Sequence, residues 1–327
     1  MLSKWHVHAN DYAKQLRNQK NVEIVAVWDE ELERGSTWAK ELGVDFESDL
    51  NTLLSRNDID AVAVDAPTNM HTEVIVAAAK AGKHIFTEKV LALTIKECKE
   101  IEKAVNEAGV KFCISFPHRT NPNNLFAKKV VVEGLLGDIT LMRVRNAHNG
   151  SIANWLPAHF YNEEQCGGGA MMDLGAHPMY LARWILGTPK KVSSIFNNFT
   201  NRAVEDNAVS ILEFENKALA IVETGFVSAA SPFSLELYGT HGSLLIGGPK
   251  NEVKINSSKI TSDVAGWISP SQLPQALPTA IEQWVRAIEE NTPIEFGVQE
   301  GIELTELMEA AYLSFKEKRV VEFSELI

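Results

Sequence analysis

Short apolar runs rich in branched residues alternate with helix-like stretches of roughly ten to fifteen residues through the first 116 positions, and this alternation constrains the fold most. Val22–Trp28 reads as a buried strand stopped by Asp29-Glu30-Glu31; helical text runs on to Leu42 and closes at Gly43. Asp60–Asp65 reads as the next strand, ending at Ala66-Pro67-Thr68-Asn69, and Met70–Ala81 as a helix ending at Gly82. His84–Thr87 is a strand, Thr94–Ala108 a helix capped by Thr94, and Val110–Phe116 a strand. Strands joined by helices make right-handed crossovers and hence a parallel sheet. Ligands of such sheets bind beyond the carboxyl ends of the strands, where Asp29, Thr68, Asn69 and Lys89 fall. The expected fold is a Rossmann-type α/β domain.

An acid ending the second strand of a dinucleotide fold accepts hydrogen bonds from ribose hydroxyls and repels a 2′-phosphate, which favours NAD over NADP. Asp29 stands there; the alternative is an exposed acid in a turn. Such a fold should also open with a strand and a G-x-G-x-x-G turn. Here Met1 to about Gln19 reads instead as the helix after that turn, so roughly ten to fifteen residues of strand and loop are expected upstream.

The second half carries the densest chemistry, Gly167-Gly168-Gly169-Ala170-Met171-Met172-Asp173-Leu174-Gly175-Ala176-His177. Asp173 and His177 are four residues apart and would share one helical face. Glycines before them would let backbone approach a ligand. A carboxylate beside an imidazole moves protons near neutral pH, although an isolated pair at this spacing is more often a helix-stabilising contact. Pro178 marks a helix start or kink. His118 and Arg119 lie in a loop at a strand end that could cap the next helix, and Trp155 walls a pocket or joins the core. Asn123–Leu136 reads as a helix and Thr140–Arg145 as a strand. Six further runs then have antiparallel spacing, Lys191–Asn198, Ala208–Phe214, Leu219–Phe226, Ser234–Tyr238, Ser243–Ile246 and Glu252–Ile255. Ser257–Pro274 reads as an irregular loop, and Pro278–Glu290 and Val298–Lys318 as helices. The expected division is a dinucleotide-binding domain at 1–118 and a substrate and oligomerisation domain at 119–327, an α+β unit with an open, mainly antiparallel sheet.

Composition narrows the partners. A net charge of −12 disfavours nucleic acid, and no apolar run is long enough for a membrane helix. Three widely spaced cysteines, Cys98, Cys113 and Cys166, argue for reduced thiols and against a disulfide frame or zinc site; the expected location is the cytoplasm. No spacing near Asp173 and His177 supplies two more metal ligands, so no metal is expected.

Three motifs, in this order, resemble the Gfo/Idh/MocA oxidoreductases. Ala66-Pro67-Thr68-Asn69-Met70-His71 is similar to that family's A-T-P-N-x-x-H segment. Ala81–Val90 is similar to A-G-K-H-V-x-x-E-K-P, with Val90 in place of the proline, and Gly167–His177 to G-G-G-x-x-x-D-x-G-x-H. The resemblance implies hydride transfer between a nicotinamide cofactor and a sugar, an inositol-like polyol or a related secondary alcohol. It implies cofactor contacts from Pro67, Thr68, Asn69, His71, Glu88 and Lys89. Lys89 would touch substrate and cofactor, Asp173 would orient the substrate and His177 would be the acid/base, in a cleft between two domains; Phe116–Pro122 resembles the family's N-R-R-F or M-R-R-Y position, so His118 or Arg119 would face the substrate. The open sheet face would form a homodimer or homotetramer interface. Two other readings stay open: transient oxidation that enables elimination or glycoside cleavage, and a non-catalytic ligand sensor on the same scaffold.

Overall fold

The computed structural model describes residues 1–260 and 266–326. It divides into two compact units, Met1–Pro117 with Pro278–Thr305, and His118–Leu277 with Glu306–Ile327. The helix Ala280–Glu290, placed in the second domain by the sequence reading, belongs to the first unit.

In the first unit, parallel strands β1 (Ala26–Val27) and β2 (Asp45–Phe46) form one ribbon. Strands β3 (Ala61–Val64), β4 (His84–Thr87) and β5 (Phe112–Ile114) form a parallel sheet in that order. What joins them corrects the expectation of a helix from Met1. Helix α1 spans only Ala9–Arg17, and Met1–Ser3 is extended. Leu2 bridges in parallel to both Trp28 and Val64, its N–H donating to Ala63 O at 2.8 Å and its carbonyl accepting from Asp65 N at 2.8 Å. The Leu2 side chain is fully buried there, and sheet pairing plus burial outweighs local helix preference. Ser3, at φ 72°, turns the chain out of the sheet in the left-handed conformation that a glycine usually supplies.

The strand expected over Val22–Trp28 shortens to Ala26–Val27. A cavity of about 170 Å³ is lined by Met1, Asn21–Ala26 and Asp58–Ala63 among other residues of the first unit.

Helices α2 (Leu32–Leu42), α3 (Leu50–Leu54), α4 (His71–Lys80) and α5 (Ile95–Ala108) connect the strands. Their ends obey local chemistry. Gly43 and Gly109 close α2 and α5 at positive φ, and Thr94 with Glu97 forms a reciprocal capping box on α5, a cap of about 1 kcal/mol. Trp38, Val64, Ile75, Ile85, Phe86, Ile101 and Ile114 are fully buried, each worth about 1.5–3 kcal/mol of transfer free energy.

The second unit begins with α6 (Pro122–Val132), which has Pro122 in its first turn and Asn121 as its cap. Strand β6 (Ile139–Ala147) and the short helices α7 (Glu163–Cys166) and α8 (Ala170–Asp173) follow, then α9 (Ala176–Leu186). Strands β7 (Lys191–Asn197), β8 (Asn207–Glu213), β9 (Leu219–Gly225), β10 (Ser234–Gly239), β11 (Gly242–Gly247), β12 (Glu252–Ser257) and β13 (Val321–Glu322) complete an eight-stranded sheet. Its order is β12-β11-β10-β6-β9-β8-β7-β13. All neighbours are antiparallel except β6 and β9, which run parallel. Burial alternates strictly along β8, with Ala208, Ser210 and Leu212 inside and Val209 and Ile211 outside, the period of a sheet covered on one face. Helices α8 and α9 contact β8, β9 and β6. The irregular loop expected over Ser257–Pro274 includes residues 261–265, which lie outside the described residues. The helix expected from Val298 spans Val298–Glu317.

Candidate active-site elements in the two units

The glycine loop of the second unit is built from inside the protein. A side chain at Gly168 would meet Tyr312 Oη at 1.9 Å, and one at Gly169 would meet Glu205 O at 2.0 Å. Close approach to Tyr312 and Glu205 therefore demands these glycines, so the need expected from a ligand is met by the protein's own packing. The Glu205 carboxylate accepts from Gly169 N (2.9 Å to Oε2), Met171 N (2.9 Å) and Tyr312 Oη (2.6 Å). Its backbone carbonyl accepts from Ala170 N at 2.9 Å, and Met172 N donates to Tyr312 Oη at 3.2 Å. The four N–H groups at the start of α8, which no helical carbonyl can satisfy, are all met by this pair. Burial pushes both the Glu205 carboxyl and the Tyr312 phenol upward.

Asp173 and His177 do not share one continuous helix. α8 ends at Asp173, Leu174-Gly175 form a break, and α9 starts at Ala176 with Pro178 in its first turn. His177 is buried, its Nδ1 3.0 Å from Tyr180 Oη and its ring 4.8 Å from that of His118. The Tyr180 hydroxyl also accepts from His118 N at 3.1 Å, and the His118 ring lies 4.8 Å from Phe233. Asp173 is half-buried and its charge acts on His148, countering burial, which holds that imidazole below its usual range. His148 stacks on Phe226 at 5.1 Å and lies 4.5 Å from Trp155, whose side chain is exposed instead of joining the core. Arg119 packs its guanidinium over Trp184 at 5.2 Å. Thus His177, His118 and Tyr180 lie together, and the Asp173 charge acts on His148, which lies beside Trp155. Sequence reasoning missed Tyr180 and His148; Tyr180 is legible at the i,i+3 spacing from His177.

In the first unit, Glu88 and Lys89 follow β4 directly, and both are buried. Glu88 Oε2 accepts from Lys89 N at 2.8 Å, and Oε1 accepts from Tyr12 Oη and lies 2.9 Å from His8 Nδ1. Burial opposes ionisation of Glu88, but His6, His8 and Lys89 together hold its carboxyl well below the usual range. The Lys89–Val90 peptide is cis. His71 is buried with Nδ1 3.0 Å from Val90 O and Nε2 3.1 Å from Ala66 O, so the ring braces the segment after Lys89 against the end of β3. Pro67 and Thr68 are buried at that end, while Asn69 is exposed. Asp29 is buried rather than an exposed turn acid. Its oxygens accept from Lys4 N (2.9 Å), Glu31 N (2.8 Å) and Arg34 (2.7 and 3.0 Å).

These groups suit a dinucleotide: the acids Asp29, Glu30 and Glu31 follow β1, and Lys89 follows β4, both parallel strands of the first unit. Residues 6–116 match the family model of the GFO/IDH/MocA oxidoreductases with an NAD-binding Rossmann fold, and residues 125–245 match that family's C-terminal domain. The chain is 30% identical over 269 residues to scyllo-inositol 2-dehydrogenase (NAD(+)) of Bacillus subtilis, covering 79% of this chain and 75% of the relative. It is 28% identical over 231 residues to 1,5-anhydro-D-fructose reductase of Ensifer adhaerens, covering 68% of each. Levoglucosan dehydrogenase in complex with NADH and L-sorbose superposes with a TM-score of 0.85 at 20% identity, over 98% of this chain and 97% of that one. Two family models and a relative at this identity lead to one conclusion: the chain belongs to the GFO/IDH/MocA oxidoreductases, with an NAD-binding Rossmann unit followed by the family's C-terminal domain.

Proposed function

We propose that this oxidoreductase interconverts a secondary alcohol and a ketone on a sugar or polyol, with NAD as the redox partner. Relatives named for scyllo-inositol and 1,5-anhydro-D-fructose support the substrate class. The observation that carries the assignment of roles is the buried His177 imidazole held at Nδ1 by the Tyr180 hydroxyl at 3.0 Å. In the tautomer that carries its proton on Nδ1, His177 donates to the Tyr180 oxygen, and it goes on doing so once Nε2 is protonated, so the bond persists in both states. Nε2 is then the atom that takes the hydroxyl proton in oxidation and returns it in reduction.

NAD, when bound, supplies the hydride acceptor; the protein handles the proton and the charge. Lys89 stabilises developing alkoxide through its ammonium, and Asp173 accepts from a neighbouring substrate hydroxyl. Asp29, with Glu30 and Glu31, favours ribose hydroxyls over a 2′-phosphate, and His118 and Trp155 contact the sugar. The outer face of the second unit's sheet exposes Ile195, Val209, Ile211 and Leu219, with Ile195 paired to Val209, and this apolar patch supports a homo-oligomer.

The test is a screen of polyols and sugars with NAD, following NADH absorbance, on the wild type and His177→Asn. Turnover of a polyhydroxylated substrate that falls by about 10²–10⁴ in the variant supports the reading. Equal turnover in the two proteins overturns the role of His177.

A further inference from the structure

A polar cluster in the first unit has the composition of a metal centre. His6, His8 and Glu88 each offer one ligand atom, and all three atoms lie within 4.8 Å of one another. Glu88 Oε1 is 2.9 Å from His8 Nδ1 and 3.9 Å from His6 Nδ1. These distances bracket the edge of about 3.4 Å expected for a tetrahedron built on bonds near 2.1 Å. The imidazole rings stand 4.9 Å apart and inclined at 67°, edge to face instead of stacked flat, and His8 N donates to His6 Nδ1 at 3.3 Å, a bond that a metal at that nitrogen would replace.

Glu88 is oriented as a ligating carboxylate should be: Lys89 N donates to one oxygen and Tyr12 Oη to the other, and Tyr12 is itself bonded to Ser115. A second carboxylate lies close by. Asp65 is fully buried, neither of its oxygens has a hydrogen-bond partner among the described residues, and its backbone carbonyl accepts from His6 N at 3.0 Å. Asp65 and Glu88 are both buried, and a divalent ion beside them would offset negative charge held out of water.

We propose that His6, His8 and Glu88 bind one divalent transition-metal ion of the zinc, cobalt or nickel type, with a fourth position open. Imidazole and carboxylate suit these ions, and three protein ligands are the complement of an open site. His8, 42% exposed, provides the entry path. The site draws on the loop before α1 and the end of β4, so the ion ties these two elements of the first unit together.

The test uses the full chain, stripped with a chelator and dialysed, and titrated with zinc chloride by calorimetry. One equivalent should bind with micromolar or tighter affinity and raise the thermal midpoint. His8→Ala, at the half-exposed position, should weaken binding at least roughly 10-fold with an unchanged circular dichroism spectrum. Glu88→Gln, which keeps size and shape, should do the same, and cobalt should give a visible absorption band without thiolate character that His8→Ala removes. Absence of binding at 100 µM zinc overturns the proposal, as does an affinity unchanged in both variants.

Discussion

Glu205 and Tyr312 meet at 2.6 Å, and between them they satisfy all four orphan N–H groups at the start of α8, from Gly169 to Met172. A helix of four residues has almost no intrinsic stability, so its place depends on this clamp. Asp173 ends that helix and the break leading to His177 follows it. The glycine-rich signature is thus half of an internal lock whose other half lies elsewhere in the chain.

Glu205→Ala should therefore destabilise the protein by about 2–4 kcal/mol, since it strands two buried N–H groups and the Tyr312 hydroxyl. Tyr312→Phe should cost about 1–2 kcal/mol. Chemical denaturation of the three proteins measures both, and a loss below about 0.5 kcal/mol for Glu205→Ala would show that the clamp is dispensable.

Tyr180→Phe removes the oxygen that holds His177 Nδ1 and accepts from His118 N. The expected result is a fall in kcat of roughly 10-fold with KM little changed, because the ring keeps its packing and the imidazole loses its orientation. Steady-state kinetics on the substrate found in the polyol screen gives the answer. A change confined to KM would move Tyr180 from proton handling to substrate binding.

At the β1 end, Asp29, Glu30 and Glu31 surround the single guanidinium of Arg34, leaving an excess of negative charge. NADH should bind at least about 10-fold more tightly than NADPH, a difference of ~1.4 kcal/mol. Glu31→Lys changes an exposed side chain and should narrow that preference. Fluorescence titration of both cofactors measures it, and equal affinities in the wild type would contradict the charge argument.

His71 sets a pH dependence. Burial lowers its imidazole below the ordinary value of 6.5. The unfolded chain therefore takes up a proton that the folded chain resists, so this contribution is complete above that value and is lost as pH falls through it. Stability should fall as pH drops below about 6.5, and His71→Gln should flatten that slope by up to about 1.4 kcal/mol per pH unit. Unfolding curves across the range decide it; an unchanged slope would mean that His71 titrates alike in both states.

The exposed stripe Ile195, Val209, Ile211 and Leu219 carries the oligomer prediction. Ile195→Asp with Ile211→Asp should convert an oligomer to a monomer without loss of secondary structure, read by light scattering after gel filtration. A wild-type chain that is already monomeric at micromolar concentration would remove the case for this face as an interface.

Elements whose signals are local were legible in the chain itself. His84–Thr87 is the observed β4, and the Thr94 cap and the glycine stops of α2 and α5 depend on residues a few positions apart. The same holds for the alternation along β7 to β9, which period-two burial imposes on any sheet covered on one side. Met1–Ser3 escaped this logic, because extended pairing there is decided by Trp28 and Val64, which local propensity cannot see.

The site divides along the same line. Lys89, Asp173 and His177 stand out in the sequence because each sits in a compact motif with its chemistry adjacent. Glu205 and Tyr312 carry no local signal: they reach the glycine loop over 36 and 140 residues. His6 and His8 gain meaning only beside Glu88, 80 residues or more away. Residue spacing determined which groups belong to one turn of helix or one strand end. Tertiary structure alone decided which distant side chains share a buried, low-dielectric environment, where an unmatched charge or N–H is costly enough to select its partner.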